Sequence, residues 1–227
     1  MIQLKSEMDY VKEILVEMME LVQSQLEKSK EAFMNHDVEL AEEIIHNELR
    51  INAYDINIGR ECGNILALYS PVATDLRFVL SVLEITSSIE RIGDHAENIA
   101  EYVINSEKPI RQDLLLENEL DVMFDLSLAM VHDVIEGFIR EDHKIARKIF
   151  KQDKELNRIN RNSSTIISGQ VMKEPEIIRQ ALYLFSTIAK LERVGDLSKN
   201  IAEEIIFYLD AKVLKHKKKA KRLSEEE

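Results

Sequence analysis

Disulfide scaffolds need paired cysteines, and this chain of 227 residues has one, Cys62. An intramolecular disulfide is excluded and a reducing compartment is expected. Proline and glycine are also scarce, at three and six residues. Sheet proteins use both in their turns, so the scarcity points to long helices with few breaks, as does the abundance of Leu, Ile, Glu, Lys and Ala. No stretch reaches the roughly 18 uncharged apolar residues of a membrane span. From Met1 to Leu15 charges interrupt every apolar stretch, unlike a signal peptide, and a cytoplasmic location is expected. Positive charge is in deficit: a net charge of −12 excludes the basic face of a nucleic-acid binder. The cations crowd instead between Lys212 and Arg222. They suit the negative dipole end of a helix, with a contact to anionic lipid or an acidic partner as the other reading. Hydrophobic residues, at 45%, are enough to bury a core.

The most informative feature is a repeat. Glu90-Arg-Ile-Gly-Asp-His-Ala-Glu-Asn-Ile-Ala-Glu101 matches Glu192-Arg-Val-Gly-Asp-Leu-Ser-Lys-Asn-Ile-Ala-Glu203 at eight of twelve positions, 102 residues apart. A repeat of this kind means that one supersecondary unit is used twice. In each copy Glu, Asp and Asn recur every four residues, as Glu90, Asp94, Asn98 and as Glu192, Asp196, Asn200. Residues four apart stack on one helix face, so each copy carries an oxygen-rich ridge.

Apolar periodicity predicts three helices per copy. The first runs from about Lys5 to Asn35, the second from the N-cap Asp37 to Tyr69, and the third from about Val72 to Ser106. Ser70-Pro71 ends the second, because the residue before proline avoids the helical region. The pattern restarts with helices over about Gln112 to Arg140, Asp142 to Met172, and from Pro175 to about Leu209. The expected fold is all-α, two tandem antiparallel three-helix bundles. Residues 1–110 form the first, 111–211 the second, and 212–227 a charged tail.

Each ridge continues an apolar row: Leu76, Leu80, Leu83, Ser87 lead to Glu90, and Ile178, Leu182, Phe185, Ala189 lead to Glu192. A face that starts apolar is expected at the edge of a packed surface, with its acidic end partly shielded. Gly93 and Gly195 sit inside the ridges, where a missing side chain lets a helix or ligand approach. The preceding helices add Glu48 and Asn52 in the first copy and Asp153 and Asn157 in the second, again an acid and an amide four apart. Hard oxygen ligands without thiolate suit Mg²⁺, Ca²⁺, Mn²⁺ or iron better than a structural zinc cage. The plainer reading is that acidic helices are solvated faces, since the chain has 42 Asp and Glu residues.

Glu90-Arg-Ile-Gly-Asp94 and Glu192-Arg-Val-Gly-Asp196, each followed by Asn-Ile-Ala, resemble the paired acidic motifs of the PhoU family. Ser70-Pro71 with Asp75-Leu76-Arg77 resembles the segment that opens that family's third helix. The resemblance covers nearly the whole chain and implies a six-helix protein that is not an enzyme. It implies negative regulation of phosphate uptake, linking a phosphate ABC transporter to a sensor histidine kinase, with attachment to the membrane only through those partners. It also implies a homodimer and metal ions on the acidic motifs, whether iron, zinc, magnesium or manganese. Carried over, one site would use Glu48, Asn52, Asp75, Glu90, Asp94 and Asn98. The other would use Asp153, Asn157, Glu192, Asp196 and Asn200. Ile177 stands where the first copy has Asp75, which implies weaker metal binding in the second half.

Other readings are poorer. Glu43-Ile-Ile-His46 is the ExxH of ferritin-like di-iron bundles, which need two such motifs, and no second one pairs with it. Cys62 has no evident partner base and reads as a small core residue. His95 has Leu197 in its place in the second copy and reads as incidental. There is no glycine-rich phosphate loop. Two functional alternatives remain: a metal-dependent hydrolase acting on phosphorylated or polyphosphate substrates, and an adaptor of another phosphate carrier.

Overall fold

The computed structural model describes residues 2–211; the basic tail, residues 212–227, lies outside the described residues. Three long helices come first: α1 (Ile2–Asn35), α2 (Val38–Tyr69) and α3 (Ala73–Asn105). The second copy is more broken, with α4 (Gln112–Glu117), α5 (Leu120–Ile139), α6 (His143–Ala146), α7 (Ile149–Lys173), a 3₁₀ turn at Pro175–Ile177 and α8 (Ile178–Asp210). There is no strand among the described residues.

The turn into the second helix is built alike in both copies. His36 and Glu141 adopt left-handed backbone (φ 55° and 52°). The following aspartate then caps the helix: Asp37 accepts from the Leu40 backbone N–H at 3.0 Å and Asp142 from that of Lys144 at 2.7 Å. Such caps satisfy N–H groups that have no partner inside the helix.

Two predicted helices are interrupted. The helix expected over Gln112 to Arg140 breaks at Asn118-Glu119. The Asn118 side chain, buried at 1% exposure, donates to the Leu114 carbonyl (2.9 Å) and to Gln170 Oε1 (3.2 Å). Glu119 turns to φ 53° and accepts from Arg158 at 2.6 Å. Asparagine here offers the backbone an alternative to helix. The helix expected from Asp142 to Met172 splits after a single turn, where Lys148 N–H closes on the Ile145 carbonyl at 3.0 Å, a tighter 3₁₀-type bond.

Helices α1, α2 and α3 pack on one another, as do α5, α7 and α8, so the two tandem three-helix bundles are present. They lie side by side, joined mainly through α3 against α8 and also through α1 against α5. α3 and α8 run antiparallel. Phe78 meets Tyr208 (5.8 Å between ring centres) at one end, and Tyr102 meets Tyr183 (5.6 Å) at the other. Their middles bear the two copies of the acidic motif, so each motif faces its own partner bundle on one side and its twin on the other.

Candidate functional site

In the first half the motif is folded against α2. Gly93 makes this possible: a Cβ there would stand 3.0 Å from Ile51 Cδ1 and 3.2 Å from Glu48 Oε2. Gly195 has the same function against α7, where a Cβ would come within 2.5 Å of Leu156 Cδ1. The glycines therefore serve helix contact, and in the first half that contact carries a carboxylate inward. Glu48 is 5% exposed, and its Oε1 is buried without a hydrogen-bond partner. Burial first, and then the negative charges of Glu97, Asp94 and Glu90, push its pKa up to about 7.

The surrounding acids are under the same pressure. Glu90 is raised by burial, by Asp94 and by Asp55, with Arg91 opposing, while Glu97 is raised by burial, by Glu101 and by Asp94. No ion pair with a cation is made by Glu48, Glu90, Asp94 or Glu97 among the described residues. Like charges held this close favour a proton or a bound cation.

The second half solves the same problem internally. Lys199 Nζ lies 2.7 Å from Asp196 Oδ1 and 3.1 Å from Asp153 Oδ1. Burial works against the Lys199 charge, yet its hydrogen bonds to Asp196 and Asp153 outweigh this and raise its pKa. Glu192 is still raised, by burial and by Asp196 and Asp153, but Arg193 and Lys199 pull it back. Lys199 occupies the position that Glu97 holds in the first copy.

The predicted ligand sets are only partly brought together. Glu48, Glu90 and Asp94 converge, and so do Asp153, Glu192 and Asp196. Asn98 is committed elsewhere: its amide donates to the Asp94 carbonyl at 2.5 Å, and its Oδ1 accepts from Lys190 of α8 at 3.0 Å. Asn157 likewise donates to the Asp153 carbonyl, at 2.8 Å. Asn52 is exposed, and Asn200 is half-buried and makes no side-chain hydrogen bond among the described residues. Asp75 does not join the first site: it stands in the first turn of α3, fifteen residues and about 22 Å of helix before Glu90. Among the described residues no three His, Cys, Asp or Glu side chains are gathered so that they could hold an ion as they stand.

Sequence reasoning missed Glu97 and Lys199, although both lay among the four mismatched positions of the repeat. It anticipated the partly shielded acidic ends of the rows but not the state of their apolar ends. The apolar ends are the open ones, with Leu80 43%, Ile178 48%, Leu182 58% and Phe185 40% exposed, while the acidic ends are half-covered. The α3–α8 contact runs from Phe78–Tyr208 to Tyr102–Tyr183, but it is made by other faces of the two helices and leaves the apolar starts of these rows uncovered. In the second half this leaves an apolar groove of about 390 Å³ between α7 and α8, lined by Ile167, Val171, Met172, Ile178, Leu182 and Phe185 among others.

Comparison with known proteins agrees with this duplicated architecture. The PhoU domain matches twice, over residues 15–103 and 120–205, once for each bundle. The chain belongs to the PhoU family. A phosphate-specific transport system accessory protein PhoU homolog of Aquifex aeolicus is 32% identical over 212 residues, covering 92% of this chain and 94% of that protein. The PhoU accessory protein of Escherichia coli is 27% identical, over 94% of this chain and 88% of its own. The crystal structure of PhoU from Pseudomonas aeruginosa superposes with a TM-score of 0.84 at 28% identity, over 92% of this chain and 99% of that one. The phosphate transport system regulatory protein PhoU from Streptococcus pneumoniae gives a TM-score of 0.83 at 29% identity, over 93% and 99%. The two PhoU domain matches span both halves of the chain, including the stretches that hold the acidic motifs.

Proposed function

We propose that this chain is a regulatory accessory of phosphate uptake. The observation that carries the reading is the match along nearly the whole of both chains to PhoU proteins named as phosphate-specific transport accessories. No helix of the described residues is long and apolar enough to cross a membrane. Action on a transporter therefore requires docking to it. In this reading the chain restrains phosphate-starvation signalling by joining a phosphate ABC transporter to a sensor histidine kinase, and works as a homodimer within the cytoplasm. It is not an enzyme. Deleting its gene should leave a phosphate-starvation reporter switched on in phosphate-rich medium. A reporter that still shuts off would refute the reading.

The first-half cluster is the proposed metal position. The buried, unpartnered Glu48 Oε1 and a donor set made only of carboxylate oxygen, Glu48, Glu90, Asp94 and Glu97, suit a hard cation such as Mg²⁺, Mn²⁺ or iron in chemistry, although the side chains would have to close in on it, since no three are gathered around one point as they stand. A bound cation there would offset the mutual repulsion of these acids. In the second half Lys199 already supplies that charge, so metal binding is proposed for the first half alone. Titration of the wild-type chain and of a Glu90→Ala/Asp94→Ala variant with Mg²⁺, Mn²⁺, Fe²⁺ and Zn²⁺ tests this. Binding no tighter than about millimolar for all four would leave the cluster merely acidic.

A further inference from the structure

The seam between α3 and α8 carries a second charged feature, of opposite sign and beside the acids. Arg91 and Arg193 are matched positions of the two motifs. Both are exposed, and neither makes an ion pair or hydrogen bond among the described residues. Each eases the carboxylate that precedes it, Glu90 or Glu192, only through space. Lys190 reaches across the seam to Asn98 Oδ1 at 3.0 Å. Because the helices are antiparallel, the three-residue step from Lys190 to Arg193 on α8 leads back from Asn98 to His95 on α3. One more turn back along the same face of α3 is Arg91. The two arginines and the lysine therefore surround one short stretch of the seam, with His95 beneath them.

His95 lies in the middle of this stretch. Its two ring nitrogens are buried and unpartnered, and the charges of Lys190, Arg91 and Arg193 all lie within reach of the ring. In a chain of net charge −12, three cations converge here with no paired anion. Guanidinium forks present parallel N–H donors that match a tetrahedral oxyanion two oxygens at a time, and an ammonium adds a third direction.

We propose that the Arg91–Arg193–Lys190 seam is a binding site for a small phosphate dianion, either free inorganic phosphate or an exposed phosphate monoester. The site is formed only where the two copies meet, so it requires both bundles. It does not depend on the proposed metal: the arginines, not a cation on Glu48, hold the ligand. Nor does it depend on the transporter reading.

The test is calorimetric titration of the full chain at pH 7 and constant ionic strength, with inorganic phosphate in one arm and glycerol 3-phosphate in another, each with and without a chelator. Saturable binding in either arm that persists with chelator, weakens about tenfold in Arg91→Ser or Arg193→Ser, and disappears in the double variant is the expected result. Binding in the first arm assigns the site to free phosphate, and binding only in the second assigns it to esterified phosphate. Both arginines are exposed, so the variants should fold, and their melting curves check that. The proposal is overturned by no saturable heat in either arm, by binding that survives the double variant, or by binding that the chelator abolishes.

Discussion

Where the first copy of the motif has Glu97, the second has Lys199, and this one difference separates the two halves of the molecule electrostatically. The surrounding architecture is shared. Gly93 and Gly195 admit the neighbouring helix alike, and Glu90 and Asp94 are matched by Glu192 and Asp196. In the second half a lysine bridges Asp153 and Asp196, and the charge is balanced from within. In the first half a glutamate stands there instead, and the buried Glu48 is left with an unpartnered oxygen among like charges. A duplicated scaffold thus holds two states of one site, one closed by an internal cation and one left open without any.

Converting the closed site into the open one should have the largest effect. Lys199→Glu leaves Asp153, Glu192 and Asp196 without their cation and adds a fourth acid. Removing one partner of a fully buried ion pair costs ~3–5 kcal/mol; these groups are only partly covered, so a loss of about 2–3 kcal/mol in urea denaturation is expected. Added Mn²⁺ should recover part of it. An unchanged midpoint would show that Lys199 does not balance the second site.

The next effect concerns pH and belongs to the first half alone. Glu48 has a folded pKa of about 7 against an ordinary value of 4.5. The folded state therefore holds this proton more tightly than the unfolded chain does. The contribution to stability is complete below about pH 4.5 and is lost as pH rises through about 7. Compared in chelator, Glu48→Gln should match the wild type near pH 4 and exceed it by roughly 3 kcal/mol at pH 8. A difference that does not grow between those values would mean that the Glu48 carboxylate is relieved in some other way.

The smallest effects sharpen the boundary of the site. Asn52→Ala and Asp75→Ala change an exposed amide and a carboxylate about 22 Å of helix away from Glu90, and each should shift stability by less than about 0.5 kcal/mol. Neither should alter metal titration. A loss of metal binding in Asp75→Ala would require the first turn of α3 to reach the cluster, against the observed helix path.

Much of this was legible in the residues. The repeat implied two similar bundles, and the four-residue spacing of Glu90, Asp94 and Asn98 placed them on one stripe of α3. Glu48 and Asp153 were picked out because each is followed by an asparagine four residues on, at matching places of the two copies. The break at Asn118 was not legible, because it depends on Gln170 of another helix. Asn98 looked like a ligand because it lies on the acidic row, but Lys190 claims its oxygen from across the bundle seam. His95 looked incidental because the second copy lacks it, and its surroundings come from α8, nearly a hundred residues away.

By itself the sequence determined what is local or periodic. Sparse glycine and proline allow long helices, apolar spacing selects their buried stripes, and the repeated aspartate caps at Asp37 and Asp142 set their starts, because each depends on residues within a few turns of one another. Only the tertiary structure decided which charges meet. The antiparallel crossing of α3 on α8 brings Lys190 to Asn98, and the α7–α8 contact brings Lys199 to Asp153. It is also the packing, not the row of residue types, that leaves the apolar starts of α3 and α8 open and shields their acidic middles. Coulomb energy follows distance and solvent exposure, and both are set by helix packing across large sequence separations.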